Sequence, residues 1–104
     1  MKLQLTPGQI DRILKIIGKD VEVLLFGSRA TGAAREFSDI DLCLKSTRPI
    51  SLAELSAWKE KFQNSNIPYK VDLVSYEDLS EDFRQLISKT AIPLLKMPAA
   101  TGPG

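Results

Sequence analysis

Two carboxylates stand one residue apart in the run Ser38-Asp39-Ile40-Asp41-Leu42. Ile40, Leu42 and Leu44 alternate with Asp39, Asp41 and Cys43. A strand therefore carries both acids on one face and the aliphatic side chains on the other. At about 4 Å and an effective dielectric near 20, two such charges repel by roughly 4 kcal/mol. Solvation, protonation of one acid or a cation between them relieves that repulsion. Hard divalent ions such as Mg²⁺ take oxygen ligands and are commonly held by one or two carboxylates together with substrate phosphates. Upstream, Leu25-Phe26-Gly27-Ser28-Arg29-Ala30-Thr31-Gly32 supplies the phosphate side. Val21–Phe26 reads as a strand, and Gly27-Ser28 as its turn into a short helix over Arg29–Ala34. Glycine lets a ligand approach the backbone, and a helix start offers unpaired N–H groups to an anion. Donors for phosphate beside carboxylates for the metal that phosphate brings point to nucleotide chemistry.

Composition removes most other chemistries. The chain has 104 residues, a formal net charge of +1, one Cys and no His. Intramolecular disulfides, Cys/His zinc sites and His-based triads are thereby excluded, leaving carboxylates, hydroxyls, Lys/Arg and backbone. With 43% hydrophobic and 26% charged residues it reads as one globular domain with a modest core. A near-neutral chain offers no global basic field, so direct nucleic-acid binding is not expected. No apolar run reaches the roughly 20 residues of a membrane span, and no signal-peptide pattern opens the chain, so the expected location is cytoplasmic. The expected domain covers residues 1–96, with residues 97–104, small and Pro/Gly-containing, as a flexible tail.

The remaining elements must position these groups. Thr6-Pro7-Gly8-Gln9 reads as a capping box with Pro at the first helical position. Ile10, Ile13, Leu14 and Ile17 then form an apolar stripe that Gly18 ends. Ser51-Leu52-Ala53-Glu54 is a second capping box, followed by Leu52, Leu55, Trp58 and Phe62 at helical spacing. Trp58 could stack on a base, but its place on an amphipathic stripe assigns it to the core. Tyr69–Val74 reads as a short strand whose Asp72 lies between Val71 and Leu73, where strand propensity disfavours an acid. An edge strand with Asp72 facing water is one account of it. Ser75-Tyr76-Glu77-Asp78 is expected to cap a last helical region with Leu79, Phe83, Leu86 and Ile87 inward, and Ile92–Leu95 to form an edge strand with Pro93. Arg29 and Arg35 flank the motif. Each either contacts nucleotide phosphate or pairs with Glu36 or solvent. Cys43 shares the acidic face, with nothing beside it to mark a reactive thiol.

Gly27-Ser28, ten intervening residues and Asp39-x-Asp41 resemble the signature of the DNA polymerase β-type nucleotidyltransferase superfamily. The wording GSRATGAAREFSDIDL is similar to its minimal nucleotidyltransferase (MNT) branch, small proteins often encoded beside a HEPN-domain partner as toxin–antitoxin pairs. The likeness extends from about Val21 to about Leu95. It implies an α/β (α+β) fold with a palm-like mixed sheet of three to four strands, helices packed on one face and the site on the uncovered side. It also implies that Asp39, Asp41 and Asp72 are the catalytic and metal-holding acids of a two-ion Mg²⁺ site. Gly27, Ser28 and Arg29 would contact a nucleoside triphosphate, ATP by preference. The implied activity is transfer of AMP to a hydroxyl on a HEPN-domain toxin, with this chain as antitoxin. Two alternatives remain on the sequence alone: an antitoxin that neutralises its partner by occlusion, and a transferase for small molecules. A structural α/β domain with chance acids is the plainest reading.

Overall fold

The computed structural model describes residues 5–18, 20–32 and 39–94. In chain order the elements are α1 (Pro7–Ile17), β1 (Glu22–Phe26), α2 (Ser28–Thr31), β2 (Ile40–Lys45) and α3 (Leu52–Gln63). They are followed by β3 (Val71–Ser75), a 3-10 turn (Tyr76–Asp78), α4 (Glu81–Thr90) and β4 (Ile92–Leu94). Arg35 and Glu36, the end of the expected Arg29–Ala34 helix, Leu95 and the 97–104 tail lie outside the described residues.

Local chemistry sets the helix ends. In α1 the Thr6 hydroxyl accepts from the Gln9 N–H at 3.1 Å, and the Gln9 side chain accepts from the Thr6 N–H at 3.0 Å. Ser51 and Glu54 repeat the reciprocal cap on α3, where Arg48 adds a bidentate pair to Glu54 at 2.8 and 2.8 Å. The last helix departs from expectation. Ser80, not Ser75, caps α4 by accepting from the Phe83 N–H, because Tyr76–Asp78 first closes a separate 3-10 turn.

The four strands form one mixed sheet in the order β3-β2-β1-β4. β1 runs antiparallel to β2 and β4, and β2 runs parallel to β3. Parallel neighbours need a crossover, which α3 supplies. β4 and β3 are the edges, consistent with Pro93 in β4. Side-chain parity then divides the sheet. Val23 and Leu25 of β1, Ile40, Leu42 and Leu44 of β2, and Leu73 of β3 join the core with Ile13 and Ile17 of α1 and Leu55, Trp58 and Phe62 of α3. Trp58 is core, as its stripe indicated. Leu52 is not: at 80% exposure it sits at the first turn of α3, pointing away from the sheet.

The other face carries Leu24 and Phe26, paired with Cys43 and Asp41, and Asp72 and Val74, paired with Asp41 and Cys43. α1 and α3 cover the core face, as expected of the helices. α4 instead meets the acidic face, where the Phe83 ring stands edge-on to Phe26 with centroids 5.8 Å apart. Tyr76 lies near Lys45 and Arg84, 4.9 and 5.4 Å from its ring centroid. The acidic face is therefore partly covered. Of the four apolar side chains expected inward on this last segment, only Ile87 is buried, and Leu86 is half exposed.

Candidate active site

Three strands converge on the acidic face. β2 presents Asp41 and, one residue before the strand, Asp39. The parallel β3 places Asp72 directly beside Asp41 in register. β1 ends at Phe26, opposite Asp41, so the following Gly27 turns over the Asp41 side chain. Gly27 adopts φ 75 and ψ −155, a region essentially reserved for glycine. A Cβ there would stand 2.5 Å from Asp41 Oδ2. The glycine is thus required twice, by its backbone and by the carboxylate beneath it.

Ser28 opens α2. The Gly27 carbonyl accepts from the N–H groups of Ala30 and Thr31 at 3.1 and 3.2 Å, and the Thr31 hydroxyl donates to Ser28 O at 3.3 Å. Gly32 ends the helix in the left-handed conformation, its N–H bonded to Ser28 O. Turn and helix are consequently one unit.

Electrostatics mark Asp41. Burial, then the charges of Asp72 and Asp39, push its pKa above the ordinary aspartate value. Asp72 has a weak, exposed neighbour in Lys70, 3.8 Å away, a pairing that solvent largely screens. Cys43, fully buried on the same face, has its thiol pushed up to about 11, chiefly by burial. Burial and the raised pKa both favour a packing role.

Arg29, the expected phosphate contact, makes a cation–π contact within the protein. It is only 5% exposed, with its guanidinium carbon 4.0 Å from the centroid of the Tyr69 ring. Sequence reading did not pick out Tyr69. An aromatic residue three positions before Asp72 was the only available signal, and nothing local says what it stacks on.

The acidic groups fit a hard cation by type: three carboxylates, each able to give oxygen, with a crowded Asp41 whose ionised form a positive ion would favour. Among the described residues no three His, Cys, Asp or Glu side chains form a ready-made cage. Beside Asp72 lies a groove of about 440 Å³ lined by Lys59, Phe62, Tyr69 and Lys70 among others. A larger hollow of about 840 Å³ opens at the far end of β1 and β2, near Glu22 and Lys45, and none of the candidate residues lines it.

Comparison with known proteins gives this site its class. Residues 9–98 match the family described as polymerase beta, nucleotidyltransferase, and the chain belongs to that family. It is similar to the probable protein adenylyltransferase MntA of Haemophilus influenzae, at 37% identity over 83 residues, spanning 80% of this chain and 73% of that protein. Solved structures share the fold. A toxin–antitoxin crystal structure with AMP-PNP superposes with a TM-score of 0.71 at 22% identity, over 88% of this chain and 73% of the other. A re-refined structure of the tri-AMPylated Shewanella oneidensis HEPN toxin in complex with MNT antitoxin gives 0.64 at 20% identity, over 90% and 72%. No described helix is long and apolar enough to cross a membrane.

Proposed function

We propose that this chain is a Mg²⁺-dependent protein adenylyltransferase that acts as an antitoxin by moving AMP from ATP to a hydroxyl on a HEPN-domain partner. The observation that carries the reading is the acidic cluster itself: Asp41 and Asp72 in register on parallel strands, Asp39 one turn of the pleat away, and Gly27 closed down on Asp41. The similarity to MntA of Haemophilus influenzae supports the choice of a protein acceptor. The Shewanella oneidensis complex supports a HEPN toxin as the partner class.

In this reading Asp39, Asp41 and Asp72 would hold Mg²⁺, which when bound would supply charge neutralisation for the transfer. The Gly27 backbone and the Ser28 N–H and hydroxyl bind the phosphates. Asp72 takes the proton of the acceptor hydroxyl as the oxygen attacks the α-phosphorus. A bond forms between the acceptor oxygen and that phosphorus, the bond to the β-phosphate bridge breaks, and pyrophosphate leaves. The need for ATP supports a cytoplasmic setting for the reaction.

The test uses ATP labelled at the α-phosphate, Mg²⁺ and the chain that copurifies from the native host. Asp39→Ala and Asp41→Ala are expected to abolish labelling of the partner while leaving the melting transition intact. Undiminished labelling by both variants would overturn the assignment. Labelling of a free small molecule, with no partner recovered, would move the acceptor to that class.

A further inference from the structure

We propose that Arg29 is a positioning residue: by stacking on Tyr69 it locks the Gly27–Ser28 turn to the strand that carries Asp72. The inference rests on the nucleotidyltransferase reading and concerns how its two halves are held in register.

Those halves belong to elements that do not pair. The turn follows β1, and Asp72 lies on β3, with β2 between them. Two strand spacings, about 9–10 Å, separate them across the sheet. Each is aligned to β2 by backbone hydrogen bonds, but a ladder leaves the segment beyond a strand end free to pivot. Arg29 bridges that gap from the second residue of α2. Its guanidinium lies 4.0 Å from the Tyr69 ring centroid, and Tyr69 precedes Asp72 by three residues. Because the Gly27 carbonyl accepts from Ala30 and Thr31, α2 moves with the turn. A hold on Arg29 is therefore a hold on Gly27 and Ser28. At the other end, the Lys70 carbonyl accepts from the Ile40 N–H at 2.8 Å, which fixes the start of β3 to the start of β2.

The side of the sheet decides how Arg29 acts. Tyr69 and Val71 pack against the main core, whereas Asp72 faces the opposite side with Asp41. Arg29 as a whole is 5% exposed, and its guanidinium lies against Tyr69, a residue packed on the core. It thus acts on the nucleotide through the turn it holds and not by touching phosphate. Burying a cation is unfavourable unless its surroundings compensate, and a desolvated cation–π contact is stronger than an exposed one. The planar guanidinium also fixes orientation in a way that a lysine ammonium does not.

The experiment compares Tyr69→Leu, Tyr69→Phe, Arg29→Lys and the Arg29→Lys/Tyr69→Leu double variant in the full chain. Transfer from labelled ATP to the copurifying partner is measured together with Mg²⁺-ATP binding by calorimetry. We expect Tyr69→Leu and Arg29→Lys each to lower kcat about tenfold, with KM and Kd for ATP within about twofold of wild type. Tyr69→Phe keeps the ring and should stay within about twofold in kcat. The double variant should fall no further than the worse single variant, since both remove one contact. A tenfold weaker Kd for ATP in Arg29→Lys, with Tyr69→Leu unaffected, would instead show that Arg29 touches the nucleotide and would overturn the proposal. Multiplicative losses in the double variant, or lower melting with unchanged kcat, would reduce the stack to a structural contact and overturn it as well.

A readout that needs no turnover separates this inference from the activity it rests on. Amide deuterium uptake in Tyr69→Leu should rise together in Ser28–Thr31 and in Val71–Leu73. A rise confined to β3 refutes the lock even if the enzyme is active. Wild-type protein that transfers nothing refutes the proposed function, while the exchange pattern still decides whether the lock exists.

Discussion

Gly27→Ala is the substitution that most sharply separates the site from the fold. The new methyl group would lie 2.5 Å from Asp41 Oδ2, whereas ordinary contact begins near 3.4 Å. The carboxylate is the end of a side chain and yields before the backbone does, so it must move by about 1 Å. A displacement of that size at reacting groups can lower a rate about 100-fold. The same substitution places a Cβ at φ 75, which costs about 1–3 kcal/mol. For a domain of this size that lowers the melting midpoint by roughly 4–8 °C per kcal/mol. Gly32→Ala is the control. It too has a positive φ, 83, yet its Cβ meets nothing within 4 Å. Both variants should melt lower than wild type. Assayed well below both midpoints, Gly27→Ala should transfer AMP about 100-fold more slowly and Gly32→Ala at close to the wild-type rate. Equal losses in the two variants would refute the reasoning, because strain alone would then explain them. So would full activity in Gly27→Ala.

Further outcomes follow from the same geometry. Burial and two neighbouring acids raise the Asp41 pKa, so its ionised form is destabilised in the metal-free fold. The associated stability is present below the unfolded aspartate range and lost as pH rises through the raised value. At neutral pH Asp41→Asn should therefore melt higher than wild type by calorimetry while losing transfer. Cys43 gives a second pH dependence. Its thiol is pushed up to about 11 from an ordinary 9.0, so folding favours the neutral form, and stability falls between those two values by roughly 2–3 kcal/mol. Denaturant titrations should show that Cys43→Ala removes this component of the alkaline slope. On α3, Leu52→Gln should change stability by less than about 0.5 kcal/mol because Leu52 is exposed. Leu55→Ala, one turn on and buried, should cost about 2–5 kcal/mol in the same titration.

The sequence made legible what depends on local pattern. Period-two alternation put Asp39 and Asp41 on one face, and reciprocal caps fixed the starts of α1 and α3, whereas the closeness of Gly27 to Asp41 was not foreseen. It could not reveal the strand order, because a parallel β2–β3 pair and an antiparallel one leave the same alternation. Family resemblance grouped Asp72 with the other two acids, but its register with Asp41 comes from the structure alone. Leu52 was misplaced because periodicity assigns a face and not burial, and this first residue of α3 is exposed. The inner face of the last helix was overcounted for a related reason: α4 meets the acidic face through Phe83 and Ile87, leaving Leu86 toward solvent. Arg29 illustrates the limit most clearly. Nothing in the local sequence around Gly27-Ser28 says that Arg29 meets the ring of Tyr69, 40 positions later.

The central claim is best tested on the partner itself, isolated from the native host with this chain and analysed by mass spectrometry. The account predicts AMP on one or more hydroxyl side chains of the partner, absent when Asp39→Ala/Asp41→Ala protein replaces the wild type. An unmodified partner, bound and inhibited equally by both forms, would contradict it and leave an antitoxin that works by occlusion alone.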